Sequence, residues 1–573
     1  MMSKPRLLVF ALLASVAAAQ DITLVMDGKS DYVVLLAKDA SPAEEHGAKE
    51  LQTYIKEMSG AELPIQRADA PSPAHSITVM PITRGLKLVS QEGYLISSSA
   101  EGIHINGGRT RGTLYGCYAF LERLGVRWYT PRVTRVPHQS TVTFAPFDEC
   151  GVPAFEYRYP FFAEAEDKDW AARNRTNGAS MSLDDSVGGS VIYFPFVHTL
   201  DQLIPGALFK DHPEYFALVN GKRFDGYGQR CLSNPDVLKL AISTVRGWIH
   251  DHPEAQIYSV SQNDCENWCQ CDACKALEDK YGAHSGLWLW FVNQVAEAIE
   301  TDHPDKLIDT LAYWFTEVPP HDIVPRKNVR VRLCPIRCCE AHPYETCTAD
   351  ANKAFLAHLK AWGAMTDTLY IWHYNTDFAH YLMPFPDFAE FPAELRLYKK
   401  SGVKGVFFEG AYAPGGGGSD AELRSWVMAR LLWNPDQDAD ALVTEWMKGV
   451  YGAAWEPMRK WFDRLHAEAA KPDRHLGIYD PPTHAIFSDE VLAAGDALFD
   501  EAEKLAAADA VASEYVAKGR ISLRYVKLAR APHAGPDLDA FLVDVRRLGI
   551  TQIAEGKSVD QWEAEFRKAA GGK

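Results

Sequence analysis

Residues 30–37 (SDYVVLLA) form a short apolar run, and 41–60 (SPAEEHGAKELQTYIKEMSG) bring apolar positions back at helical spacing. The helix has its signals in place: Ser41 and Pro42 at the start, Glu44 and Glu45 in the first turn, Gly60 at the end. Residues 92–108 alternate apolar and polar positions on either side of Glu101-Gly102, which predicts a hairpin. Residues 109–131 read as a striped helix running into a short extended piece, and 136–144 as a closing strand. These elements predict a small α/β domain over 21–148, followed by a linker near 146–153.

Beyond it, short apolar runs alternate with amphipathic helices. Strands are expected at 155–162, 178–183, 190–196, 256–262, 306–314, 328–335, 368–374 and 402–410. Helices are expected between them, for example over 285–302, 349–365 and 391–402. Strand-then-helix repeated about eight times predicts an α/β fold of the (β/α)8 TIM-barrel type over 150–436. From 437 onward the periodicity is helical, and the last forty residues are polar and weakly patterned. The glycine run Gly415–Gly418 lacks the Lys-Ser/Thr of a phosphate loop and is expected to form a flexible loop at the barrel mouth.

The first nineteen residues set Lys4 and Arg6 before an apolar stretch that ends in Ala17-Ala18-Ala19, the form of a cleaved export signal. The expected mature chain begins near Gln20 or Asp21 and is periplasmic or extracellular, with no stable membrane insertion. Removing Lys4 and Arg6 takes the formal charge from −17 to −19, which disfavours nucleic acid as a partner. Fifteen Trp and 24 Tyr suit a glycan or glycoprotein partner, because sugar rings stack on aromatic faces. Oligomeric state is left open.

Barrel enzymes carry their chemistry where strands end. Here those ends hold Asn263 and Asp264, then Tyr313, Trp314 and Glu317, then Trp372 and Tyr374, and lastly Glu409 and Tyr412. His198 follows the third expected strand. A glycosidase needs such a set: a carboxyl to protonate the leaving oxygen, a second group across the bond, amides for hydroxyls and rings for stacking. Asp264 and Glu409 are the expected catalytic pair. Asn263, His198, Tyr313, Trp314, Glu317, Trp372 and Tyr374 are expected to bind substrate. His373 points to the other side of its strand and is expected to pack. Neither a G-x-S-x-G elbow nor an H-E-x-x-H helix occurs.

Eleven cysteines in an exported chain favour disulfides. A structural zinc at Cys265, Cys269, Cys271 and Cys274 is the second reading, since only Cys271 and Cys274 form the usual C-x2-C arm. No cofactor is required for the expected chemistry.

Several stretches also resemble a known family. Residues 41–65 with 107–131 resemble the small domain that precedes the barrels of α-glucuronidases and β-hexosaminidases. HPEYFALVNGKR, SVSQNDCENWCQCDAC, LAYWFTEVPP, WHYNTDF and GVKGVFFEGAYAPGG resemble DUF4838, part of which is classed as glycoside hydrolase family 163. The resemblance implies a (β/α)8 barrel and retaining endo-β-N-acetylglucosaminidase action on N-glycans, assisted by the substrate's 2-acetamido group. It implies that one of Asp264 and Glu409 orients the acetamido group while the other acts as acid and then base, with Glu409 preferred as acid/base. Two other readings stand beside it: an α-glucuronidase-like hydrolase using Arg158, Arg173 or Arg175 on the sugar carboxylate, and a non-catalytic glycan-binding barrel.

Overall fold

The computed structural model describes residues 21–68, 75–82 and 90–571. The expected export signal, residues 1–19, lies outside the described residues. The chain divides into two compact units, one reaching to Val126 and completed by Val136–Val152, the other made of Arg127–Arg135 and Pro153–Lys573.

The first unit is a six-stranded mixed sheet with helices Pro42–Ser59 and Gly112–Arg123. Ser41 caps the first helix in a reciprocal box with Glu44, and Gly60 ends it with φ 84°. Tyr94–Ser99 pairs antiparallel with Gly102–Gly107, the expected hairpin.

The second unit is built on a parallel sheet that curls into a (β/α)8 barrel. Its regular strands are β1 (Tyr157–Phe161), β2 (Ile257–Ser259), β3 (Leu307–Ala312), β4 (Val329–Leu333), β5 (Tyr370–Tyr374) and β6 (Gly405–Glu409). They lie in the order β1-β6-β5-β4-β3-β2, so the last strand returns to pair with the first. Registers Phe161↔Glu409 and Tyr374↔Glu409 bring three carboxyl-end residues to one level. Two expected strands, 178–183 and 190–196, are not regular strands. Single backbone bonds carry the wall across that gap instead. Asn177 donates to Arg158 O (3.1 Å), Val191 to Asn177 O (3.0 Å), Gln256 to Ile192 O (3.0 Å) and Phe194 to Ile257 O (2.9 Å). The polar turn Asp185–Val187 and the tight approach of Gly178 to the Tyr159 ring interrupt the pleat there.

Helices His284–Asp302, Asp350–Met365 and Phe391–Lys400 follow β2, β4 and β5. The helical region packs in the same unit as the barrel, with Asp438, Ser488 and Asp509 accepting from the first-turn amides of helices Ala439–Tyr451, Asp489–Ala506 and Ala510–Arg530. The weakly patterned end folds into helix Pro536–Arg547, a hairpin of Gln552–Ala554 with Lys557–Ser558, and helix Val559–Gly571. The run Gly415–Gly418, expected to be a flexible loop, is held: Gly417 N–H donates to Glu164 Oε1 at 3.1 Å. Gly416, with φ 66°, leaves no room for a Cβ, which would lie 2.1 Å from Glu164 Oε1. No described helix is long and apolar enough to cross a membrane.

Candidate active site

The carboxyl ends of the barrel strands surround a cavity of about 370 Å³. Six of the expected site residues line it: His198, Asp264, Tyr313, Trp372, Tyr374 and Glu409. Phe161, Phe196, Phe378, Tyr412, Tyr479 and Glu555 add to its aromatic and acidic wall.

Glu409 is the last residue of β6, and its Oε2 accepts from Trp372 Nε1 at 2.8 Å. Burial pushes its pKa up to about 8, and the nearby Glu555 and Asp264 charges add to that, while the Trp372 hydrogen bond opposes it. At neutral pH the group is therefore mostly a carboxylic acid with a proton to give. Asp264 faces it from the loop after β2. It is solvent-exposed, accepts from Tyr313 Oη at 3.0 Å, and its backbone N–H donates to Tyr227 Oη at 3.0 Å. Burial, reinforced by Asp264, holds the Tyr313 hydroxyl protonated, so it remains a donor.

His198 stands in the left-handed region (φ 52°), with Nδ1 2.8 Å from Gln262 O. A proton on Nδ1 satisfies that carbonyl and leaves Nε2 as an acceptor; burial lowers the ring's pKa and keeps it neutral. Phe161 and Tyr412 stack at 4.7 Å and 7°, and Tyr412 Oη donates to Glu555 at 3.0 Å. Beneath the rings, Arg332 pairs with the fully buried Asp309 at 2.6 Å and lies over Phe196 and Trp372. No Lys or Arg lines the cavity among the described residues.

Three expected contacts are not brought to the cavity. The Asn263 side chain turns into the wall, donating to Asp201 Oδ1 at 2.8 Å and Gly228 O at 3.0 Å. Regular pairing in β2 stops at Ser259, so the alternation that would have aimed Asn263 is lost before it. Trp314 opens a 3-10 turn with φ 54° and packs edge-on to Tyr313. Glu317, at the end of that turn, meets His358 Nδ1 at 2.8 Å and accepts Trp362 Nε1 on its carbonyl at 2.9 Å. His373 faces away from the cavity, toward Tyr398 (2.8 Å) and buried Glu340 and Glu390.

Tyr479 and Glu555 had no signal in the sequence. Both come from the helical region, whose pattern says nothing of the barrel mouth. Arg158 spends its guanidinium on the carbonyls of Arg175 (2.7 Å) and Phe155 (2.8 Å), while Arg173 and Arg175 lie over Trp128 and Trp433. None of the three lines the cavity.

Behind Asp264, four thiols converge, and they are not the expected quartet. Cys231 takes the place of Cys265 beside Cys269, Cys271 and Cys274. Cys231 Sγ lies 3.7 Å from Cys271 Sγ and 4.0 Å from Cys274 Sγ. Four sulfurs about 2.3 Å from one zinc stand about 3.8 Å apart, whereas a disulfide brings them to about 2.05 Å. Leu218 N–H also points at Cys269 Sγ, at 3.3 Å. Cys265 is left outside because it follows Asp264 directly, on the side where Gln229 Nε2 approaches its sulfur at 3.4 Å.

The family model described as "Domain of unknown function (DUF4838)" matches residues 128–463. Among solved structures, a family GH115 4-O-methyl-α-glucuronidase with specificity for decorated arabinogalactans aligns with TM-score 0.59 and 13% identity, over 92% of this chain and 76% of that one. A GH138 enzyme targeting pectin rhamnogalacturonan II aligns with TM-score 0.51 and 12% identity, over 90% and 73%. The protein CpGH84D aligns with TM-score 0.50 and 10% identity, over 93% and 90%. No curated protein matches the chain. At such identities these likenesses show a shared fold, that of glycoside hydrolases.

Proposed function

The chain belongs to the DUF4838 family, and from that premise we propose that it is an exported glycoside hydrolase, a retaining endo-β-N-acetylglucosaminidase acting on N-glycans or related glycans. One observation carries the reading. A tyrosine-held carboxylate, Asp264, shares an aromatic cavity with a buried, mostly protonated one, Glu409.

In this mechanism Glu409 gives its proton to the glycosidic oxygen as the bond to C1 breaks. Asp264, oriented by Tyr313, accepts from the N–H of the 2-acetamido group and so strengthens its carbonyl oxygen as the nucleophile at C1. An oxazolinium ion forms on the sugar itself, its N–H held by the Asp264 carboxylate, without a covalent enzyme intermediate, the recognised exception to the two-carboxylate scheme. Glu409, now a carboxylate, takes a proton from the water that opens the ring, which returns the β-anomer. Trp372 keeps Glu409 aimed, and Tyr374, Phe161 and Tyr412 offer apolar faces to sugar rings. Cys231, Cys269, Cys271 and Cys274 would hold a structural zinc, which would fix the loop carrying Asp264 without entering the reaction.

A uronic acid substrate is disfavoured, because its carboxylate would face Asp264 and Glu555 with no cation among the described lining residues to pair with. Incubation with a panel of N-glycoproteins and uronic polysaccharides, followed by mass spectrometry of the products, tests the proposal. Released N-glycans ending in a single N-acetylglucosamine are expected from wild type and not from Asp264→Asn or Glu409→Gln. Products from the polysaccharides alone, or glycan bound without cleavage, would overturn it.

A further inference from the structure

A second set of soft donors converges away from the four cysteines. Cys339, His342 and Cys347 lie on the loop that follows β4, and His475 follows helix Trp455–Ala469. Their donor atoms all lie within 4.8 Å of one another. His342 Nδ1 is 3.5 Å from Cys339 Sγ and 4.0 Å from Cys347 Sγ, and His475 Nδ1 is 3.8 Å from Cys347 Sγ. Two sulfurs about 2.3 Å and two nitrogens about 2.05 Å from one zinc have mixed edges of about 3.6 Å. Both cysteines are buried, and the backbone N–H of Leu476 points at Cys339 Sγ at 3.4 Å, a donor suited to a thiolate.

We propose that Cys339, His342, Cys347 and His475 form a structural Cys2His2 zinc site, distinct from the four-cysteine one. Three ligands come from one barrel loop and the fourth from 128 residues further on, so the ion closes a long loop within the second unit. What it fixes lies just beyond His475. Glu340 N–H donates to Leu476 O at 2.8 Å, Phe378 N–H to Ile478 O at 2.9 Å, and Gly477 N–H to Asp480 Oδ2 at 2.7 Å. That short stretch delivers Tyr479, 63% exposed, to the rim of the cavity, 6.0 Å from the Phe378 ring. The zinc is thus a clasp that sets one wall of the sugar cleft, a role that rests on the cavity being the substrate site. The site itself does not.

The test is metal content and zinc K-edge spectroscopy of the full-length protein, purified without chelators and loaded with zinc alone. Wild type should show nitrogen as well as sulfur around zinc. His475→Ala should lose one equivalent and leave an all-sulfur shell, and His475→Cys should restore the lost equivalent. On the substrate that wild type cleaves, His475→Ala should raise KM about three- to tenfold with kcat nearly kept, as loss of a positioning contact does. An all-sulfur shell in wild type, zinc content indifferent to His475→Ala, or a Cys339–Cys347 disulfide in unreduced protein would overturn the site. Unchanged KM in zinc-depleted His475→Ala would overturn the clasp. Because metal content is read without turnover, absence of glycosidase activity would sink the functional reading and leave the zinc site standing.

Discussion

Glu409 carries two opposed influences, and each can be moved by one substitution. Burial raises it to about 8, so catalysis that needs its proton should fail as pH rises through that value. The Trp372 hydrogen bond favours the charged form; Trp372→Phe should therefore move the alkaline limb of kcat/KM to higher pH. A limb that stays in place or moves down would separate Trp372 from the acid. The same shift bears on stability. With the folded value above the ordinary 4.5, the group supports folding fully below that pH and withdraws support as pH rises through about 8. Glu409→Gln removes the buried charge, so it should gain on wild type between pH 4 and pH 8 by on the order of 4 kcal/mol in urea melts. Equal differences at both pH values would contradict the assignment. In activity, the same variant should lose about 10²–10⁴-fold in kcat.

At the scale of elements, the hairpin at 552–558 is the least expected contributor. It brings Glu555 to the cavity, where its charge raises the pKa of Glu409. Glu555→Gln should move the alkaline limb down, opposite to Trp372→Phe; no movement would remove the hairpin from the site. The four-cysteine loop makes a separate prediction. Cys274→Ser should release zinc and weaken turnover while Glu409 keeps its pH limb, whereas undiminished zinc would contradict the ligand set. These elements also show why the sequence was readable only in part. Asp264, Tyr313, Trp372, Tyr374 and Glu409 could be picked out because a barrel puts strand ends at its mouth. Asn263, Trp314 and Glu317 satisfied the same positional rule and failed on local geometry, one by side-chain direction and two by a 3-10 turn. Tyr479 and Glu555 obey no rule of that kind, since tertiary packing alone delivers them. The cysteine quartet was read from neighbours in sequence, and Cys231 enters it through a fold contact that spacing does not encode.

Across the whole molecule, the proposed preference for a glycan without a carboxylate rests on charge. The chain has a formal charge of −17, and the cavity repeats that sign with Asp264 and Glu555 and, among the described residues, no lining Lys or Arg. Arg332, the cation beneath it, is committed to Asp309. The helical region belongs to the unit that forms the cavity, because it supplies two residues of the cavity wall. If a tyrosine-held Asp264 and a protonated Glu409 retain configuration through the substrate's acetamido group, proton NMR of the first product released from a complex N-glycan will show it. The β-anomer is expected at the new reducing end, relaxing to the equilibrium mixture; an α-anomer formed first, or no cleavage of that substrate, would contradict this mechanism.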